Sequence, residues 1–173
     1  MEDRRPVPVR DLRRAGRLIT REPFDAPDSA ALRDELAAEL HERYGRDSEP
    51  GRKPSVDDIA VFLVARAPDG AAVACGALRA LDPDTVEIKR MYVRPAARGS
   101  GLGRQILAAL EAEAAALGAT RIVLETGPEQ PDAMALYERA GYRPIPCFGA
   151  YAESPLSRCY ERAVQRTGSA SIP

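Results

Sequence analysis

A glycine-rich turn between a strand and an amphipathic helix constrains this chain more than any other feature. Thr85–Val93 reads as a strand, and Arg94-Pro95-Ala96-Ala97-Arg98-Gly99-Ser100-Gly101-Leu102-Gly103-Arg104 follows it. Leu102, Ile106, Leu110, Ala114 and Leu117 then mark one face of a helix that stops at Gly118. Glycine at 99, 101 and 103 lets the backbone approach a ligand closely and adopt positive φ. A helix N-terminus presents free N–H groups and the positive end of its dipole, which suits an anion. Arg94, Arg98 and Arg104 add positive charge. A phosphate-bearing ligand is therefore expected, although on this turn alone a plain glycine-rich connector fits equally well. The common fingerprints fail. GxGxxG would need glycine at Arg104 or Ile106, the Lys-Ser/Thr pair of a P-loop is missing, and GxSxG is broken by Arg98.

The remaining chain reads as one mixed α/β domain over 17–164, with an irregular extension at 1–16 and a flexible tail at 165–173. A first strand is expected at 17–22. Leu32, Leu36, Leu40 and Tyr44 form the stripe of a helix ending at Gly45, with Asp28 or Ser29 as its N-cap. A polar loop covers 46–57. Apolar runs at 59–65 and 71–81, joined by Pro68-Asp69-Gly70, read as a hairpin. Arg121–Thr126 is a strand. Residues 131–140 form a short helix between Pro131 and Gly141, and 142–147 and 155–164 close the sheet. Short turns make the early strands antiparallel, and intervening helices make the later ones parallel neighbours.

Composition narrows the function. A chain of 173 residues can bury enough surface to fold without a staple. Lys and Arg total 25 against 26 Asp and Glu, so no basic excess suggests nucleic acid. No run of 18 apolar residues suggests a membrane span, and no secretory signal is visible. Three cysteines (Cys75, Cys147, Cys159) without a CxxC pair, and His41 as the single histidine, argue against a disulfide framework and a metal site. A reduced, cytoplasmic, metal-free protein is expected, with the cysteines as core or surface thiols.

Arg98-Gly99-Ser100-Gly101-Leu102-Gly103 fills the pattern [Gln/Arg]-x-x-Gly-x-[Gly/Ala], and Ala133–Tyr142 fills Ala-x-x-Leu-Tyr-x-x-x-Gly-[Phe/Tyr]. Together these segments resemble the cofactor motif and the second motif block of the GNAT superfamily of acyl-CoA N-acyltransferases. The resemblance implies a GNAT fold: a central mixed sheet of six to seven strands flanked by helices, with the fourth and fifth strands splayed apart. Here those strands are 85–93 and 121–126. It also implies acetyl-CoA as co-substrate, no metal, and direct transfer to an amine. The pantetheine would pair with the backbone of Met91, Tyr92 and Val93 at a bulge, and a backbone N–H there would meet the oxyanion. The pyrophosphate would sit on Arg98, Gly99, Ser100, Gly101, Leu102, Gly103 and Arg104. Many members have asparagine seven residues before the tyrosine of the second block. This chain has Gln130, which keeps the amide and adds a methylene.

Tyr137 is the resemblance's candidate acid, since a phenol in hydrogen-bond reach can protonate a departing thiolate. Glu87 is its candidate base, placed on the strand that leads into the turn. For the acceptor, Tyr44 and Arg46 on one side and Phe148 and Tyr151 on the other are expected to close a pocket. Arg46, Arg52 or Lys53 is the expected carboxylate holder. The expected partner is a small-molecule amine such as an amino acid, with the protein a monomer or homodimer. A non-catalytic acyl-CoA sensor, another acyl donor, or a protein amine are the alternatives. The neutral net charge disfavours the last of these, because no broad field gathers charged tails.

Overall fold

In the computed structural model residues 18–45 and 49–164 are described; the expected extension, the tail and Arg46 lie outside them. Three helices flank the sheet: α1 (Pro27–Tyr44), α2 (Leu102–Ala116) and α3 (Pro131–Arg139). The strands are β1 (Leu18–Arg21), β2 (Ile59–Arg66), β3 (Ala72–Ala80), β4 (Thr85–Val93), β5 (Arg121–Thr126), β6 (Arg143–Ile145) and β7 (Arg158–Ala163). They form one seven-stranded sheet in the order β1-β2-β3-β4-β5-β7-β6. Only β4 and β5 pair in parallel, because α2 carries the chain back between them. The mixed α/β architecture expected from the sequence is the one the chain adopts.

The apolar run of β2 is explained by helices on both faces. Leu63 and Ala65 join Leu78, Ile88 and Leu124 beneath Ile106, Leu107 and Leu110 of α2. Phe62 and Val64 point the other way, to Leu32 and Leu36 of α1. Gly76 lets α2 approach: a Cβ there would stand 2.8 Å from Leu110 Cδ1.

Two irregularities in β4 shape everything that follows. Against β3, Cys75 pairs with Tyr92 but Ala77 pairs with Lys89, so one extra residue bulges from β4 at Arg90–Met91. Arg90 has φ 57, the one non-glycine residue with positive φ among those described. Against β5, pairing runs from Thr85↔Arg121 to Ile88↔Leu124 and then ends. Beyond that point β5 turns to β7, where Glu125 pairs with Cys159 and Thr126 with Arg158. The two strands splay, and a cleft opens between them.

Several expectations are corrected. Cys147 and Cys159 form a disulfide with Cα atoms 5.1 Å apart, which leaves Cys75 as the one free thiol, buried on β3 among the residues that face α1. Antiparallel β6 and β7 bring together two cysteines 12 residues apart, a pairing that spacing alone did not signal. Ala26, not Asp28 or Ser29, caps α1, with Pro27 in the first turn; the Ser29 side chain is buried inside the helix instead. Leu117 lies past the end of α2 and is exposed. The final strands are shorter than expected, because Pro146 and Pro155 lack the N–H a ladder needs and the chain between them makes a short 3₁₀ turn at Gly149–Tyr151.

Candidate active site

The splay leaves a cavity of about 630 Å³, long enough to run from the N-terminus of α2 to the floor between β4 and β5. At its outer end lie Arg98, Gly99, Gly101, Leu102, Gly103 and Arg104. Gly99 and Gly101 adopt φ 75 and 77, which side-chain-bearing residues rarely do. A Cβ on either would meet nothing within 4 Å, so the space before them is open to a ligand. The first helical bond of α2 runs from Gln105 N to Gly101 O, leaving the preceding N–H groups without an intrahelical acceptor. An anion suits this cradle. Arg98 donates from Nε to Val93 O at 2.9 Å and from Nη2 to Glu39 at 2.5 Å, so it ties the turn to β4 and α1. Ser100 Oγ donates to Ala97 O at 2.6 Å, bracing the turn from within.

Met91, Tyr92 and Val93 form one wall and Thr126, Gly127 and Gln130 the opposite one. Tyr44, at the end of α1, roofs the gap. Its hydroxyl accepts from Glu129 N at 3.3 Å and lies 3.5 Å from Gln130 Nε2. Gly127 makes this possible, since a Cβ there would stand 1.8 Å from the Tyr44 hydroxyl.

Tyr137 projects from α3 into the inner part of the cavity and is 5% exposed. Its ring meets Tyr142 edge-on at 5.8 Å. Burial, with a contribution from the Glu125 charge, raises its phenol above the ordinary value, so it stays protonated throughout the working pH range. Glu125, at the end of β5, lines the same space. Burial raises its carboxyl to about 7, although Ser157 Oγ donates to it at 2.8 Å. A phenol that rests in its protonated form therefore stands within electrostatic reach of a carboxyl that loses its proton near neutrality.

Sequence reasoning missed Glu125. Its only signal was position: it directly follows Ile122-Val123-Leu124, at the end of the strand expected to splay. Glu87, expected as the base, is placed elsewhere. It is 0% exposed and does not line the cavity. Oε2 accepts from Arg79 Nε at 3.0 Å and Nη2 at 2.5 Å, and Oε1 accepts from the Tyr151 hydroxyl at 2.8 Å. Both oxygens are thus held, one by Arg79 of β3 and one by Tyr151 of the 3₁₀ turn. Tyr151 is itself buried against Lys89 and Glu87, and Phe148 packs edge-on against it at 5.4 Å; neither lines the cavity. Of the four expected acceptor-side residues the structure brings Tyr44 to the cleft, while Arg46 lies outside the described residues. Arg52 pairs with Asp58 at 2.7 Å, out on the loop.

Comparison with known proteins agrees with this geometry. Residues 27–142 match the model of the acetyltransferase (GNAT) family, which covers both glycine-turn and tyrosine motifs. The chain belongs to the GNAT family. It is 39% identical over 137 residues to an IAA acetyltransferase of Azospirillum brasilense, spanning 74% of this chain and 88% of that one. A solved Klebsiella pneumoniae structure assigned to the acyl-CoA N-acyltransferases superposes with TM-score 0.76 at 34% identity, over 88% of this chain and all of the other. A GNAT acetyltransferase from Elizabethkingia anophelis, solved with acetyl-CoA bound, shares the fold at TM-score 0.65 and 18% identity, over 87% and 99% of the two chains. This GNAT protein is an acyl-CoA-dependent N-acyltransferase. Among its described residues no helix is long and apolar enough to cross a membrane, and no group of three or more His, Cys, Asp or Glu is arranged to hold a metal ion.

Proposed function

We propose that this enzyme moves the acetyl group of acetyl-CoA directly to the amine of a small molecule, such as an amino acid or related metabolite. The observation that carries this reading is that Tyr137 and Glu125 line the same cleft as the anion cradle. The residues present fit the cofactor: open space before Gly99 and Gly101 would take a pyrophosphate, with Arg98 and Arg104 beside it. The bulged edge of Met91, Tyr92 and Val93, with Gln130 opposite, would hold the pantetheine. When bound, acetyl-CoA supplies the activated thioester.

The rest is done by the chain. Free amines are mostly protonated at neutral pH, and Glu125 titrating near 7 accepts that proton directly or through a water. Tyr137 keeps its proton in the resting enzyme and offers it to the departing thiolate, and a proton from solvent then restores the phenol. Backbone N–H groups at the β4 bulge meet charge developing on the carbonyl oxygen. Glu87 acts one layer beneath, fixing Tyr151 and Arg79.

The test is thiol release from acetyl-CoA across a panel of amino acids, amines and peptides, with the product identified by mass. Acetylation of a free small amine, lost in Tyr137→Phe, is expected. Faster acetylation of peptides than of every free amine would overturn the acceptor class, and cofactor binding without turnover would overturn catalysis.

A further inference from the structure

One cluster in the cleft has no part in the chemistry above. Glu49 reaches in from the loop after α1 and sets one carboxylate oxygen against each of two cations. Oε1 accepts from Lys89 Nζ at 2.5 Å, and Oε2 accepts from Arg90 Nη1 at 2.7 Å. All three residues line the cavity, and Lys89 is 7% exposed. Lys89 has a further side-chain partner besides Glu49, and Arg90 is fixed at its backbone. Lys89 Nζ also donates to the Tyr151 hydroxyl at 2.5 Å, and that hydroxyl donates to Glu87. Arg90 sits at the bulge, where its backbone is fixed at φ 57 and its carbonyl accepts from Cys75 Sγ at 3.3 Å.

The local charge balance turns on Glu49, with Glu125 of the same cavity as a further carboxyl. Arg79, Lys89 and Arg90 face Glu49 and Glu87, and Glu87 is occupied by Arg79 and Tyr151. Without Glu49 the upper part of the cluster presents two buried or half-buried cations with one partly shared anion below them. Such a pair left without an anion is costly, so an incoming carboxylate has a strong place to go. Glu125 lines the same cavity as Glu49, Lys89 and Arg90. A molecule whose carboxylate replaced that of Glu49 would therefore carry a nearby amine toward the base.

We propose that Lys89 and Arg90 form the acceptor's carboxylate subsite, that Glu49 fills it as a resident competitor, and that the acceptor is a small amino carboxylate whose amine faces Glu125. The proposal rests on the acetyl-transfer reading above and names its substrate class. The loop cations Arg46, Arg52 and Lys53 are not needed for it.

The experiment compares each free amino acid with its carboxamide and its decarboxylated amine. Turnover is read by thiol release, and binding by calorimetry on the enzyme loaded with CoA. A site built around a charged contact rejects the analogue lacking it, so the acid form should have a KM at least roughly tenfold lower. Glu49→Gln should lower KM for the acids and leave the amides unchanged, and its loop position spares the core. Arg90→Gln should raise KM for the acids alone and weaken their calorimetric binding, with Arg90→Lys recovering part of it. Equal KM values for acid, amide and amine, with turnover intact, would overturn this proposal while leaving acetyl transfer standing. Absence of turnover with every amine would instead overturn acetyl transfer. The calorimetric arm then decides the subsite by itself: acid binding lost in Arg90→Gln supports it, and acid binding absent or unchanged by the substitution overturns it.

Discussion

Glu125 and Tyr137 are set apart by environment, since burial raises both and only the carboxyl comes into the neutral range. The rate kcat/KM should therefore rise with pH through about 7 as Glu125 loses its proton. Glu125→Gln should abolish that limb and lower kcat by roughly 10²–10⁴, the usual worth of a positioned base. Stability should move the opposite way. The folded carboxyl binds its proton more tightly than the unfolded one, whose value is near 4.5, so between 4.5 and about 7 the folded state loses stability as pH rises. Urea titrations at several pH values should show this slope in the wild type and a flatter one in Glu125→Gln. Tyr137→Phe should lower kcat by a similar factor with acetyl-CoA affinity nearly unchanged, as calorimetry would show. At this scale the sequence was uneven. Tyr137 stood inside a ten-residue motif block and was legible. Glu125 was not, because its value depends on a strand splay and on Ser157, 32 residues away, that no local pattern announces. Glu87 was expected in the cleft because the resemblance places a base on that strand, and nothing in the strand's own pattern says what covers the side chain. Tyr151 of the 3₁₀ turn covers it here.

Among elements, the turn into α2 carries the cofactor prediction. Gly101→Val should sharply weaken acetyl-CoA binding, because φ 77 is hostile to a β-branched residue and its side chain would enter the phosphate space. Circular dichroism should confirm a retained fold while calorimetry shows the lost affinity; unchanged affinity would remove the phosphate cradle. The β6–β7 hairpin makes a different prediction. β6 is three residues long and pairs only with β7, so the Cys147–Cys159 bond holds an otherwise weak edge. Its reduction, or Cys147→Ser, should cost about 3 kcal/mol of stability, read from the denaturant midpoint. The long elements were legible: the α1 and α2 stripes and the runs of β2, β3 and β4 came out within a residue or two. The last hairpin was not, because prolines and a cross-link rather than periodicity decide where its strands end.

At the scale of the whole molecule, a cofactor turn, a bulged strand and a roof from α1 converge on one cleft only because β4 and β5 part after Ile88 and Leu124. The sequence supplied the family motifs and, through them, the expectation of a splay. Neither composition nor periodicity could supply it, since nothing in either strand's pattern marks where their pairing ends. The near-zero net charge is consistent with selectivity set inside the cleft and not by a long-range field. A crystal structure with CoA bound tests the arrangement most directly, through the position of its sulfur. The pyrophosphate should lie on the backbone of residues 99–104, the pantetheine along Met91–Val93, and the sulfur within hydrogen-bond reach of the Tyr137 hydroxyl with Glu125 across the gap. A CoA molecule seated outside the β4–β5 cleft, or one whose sulfur lies far from Tyr137, would contradict it.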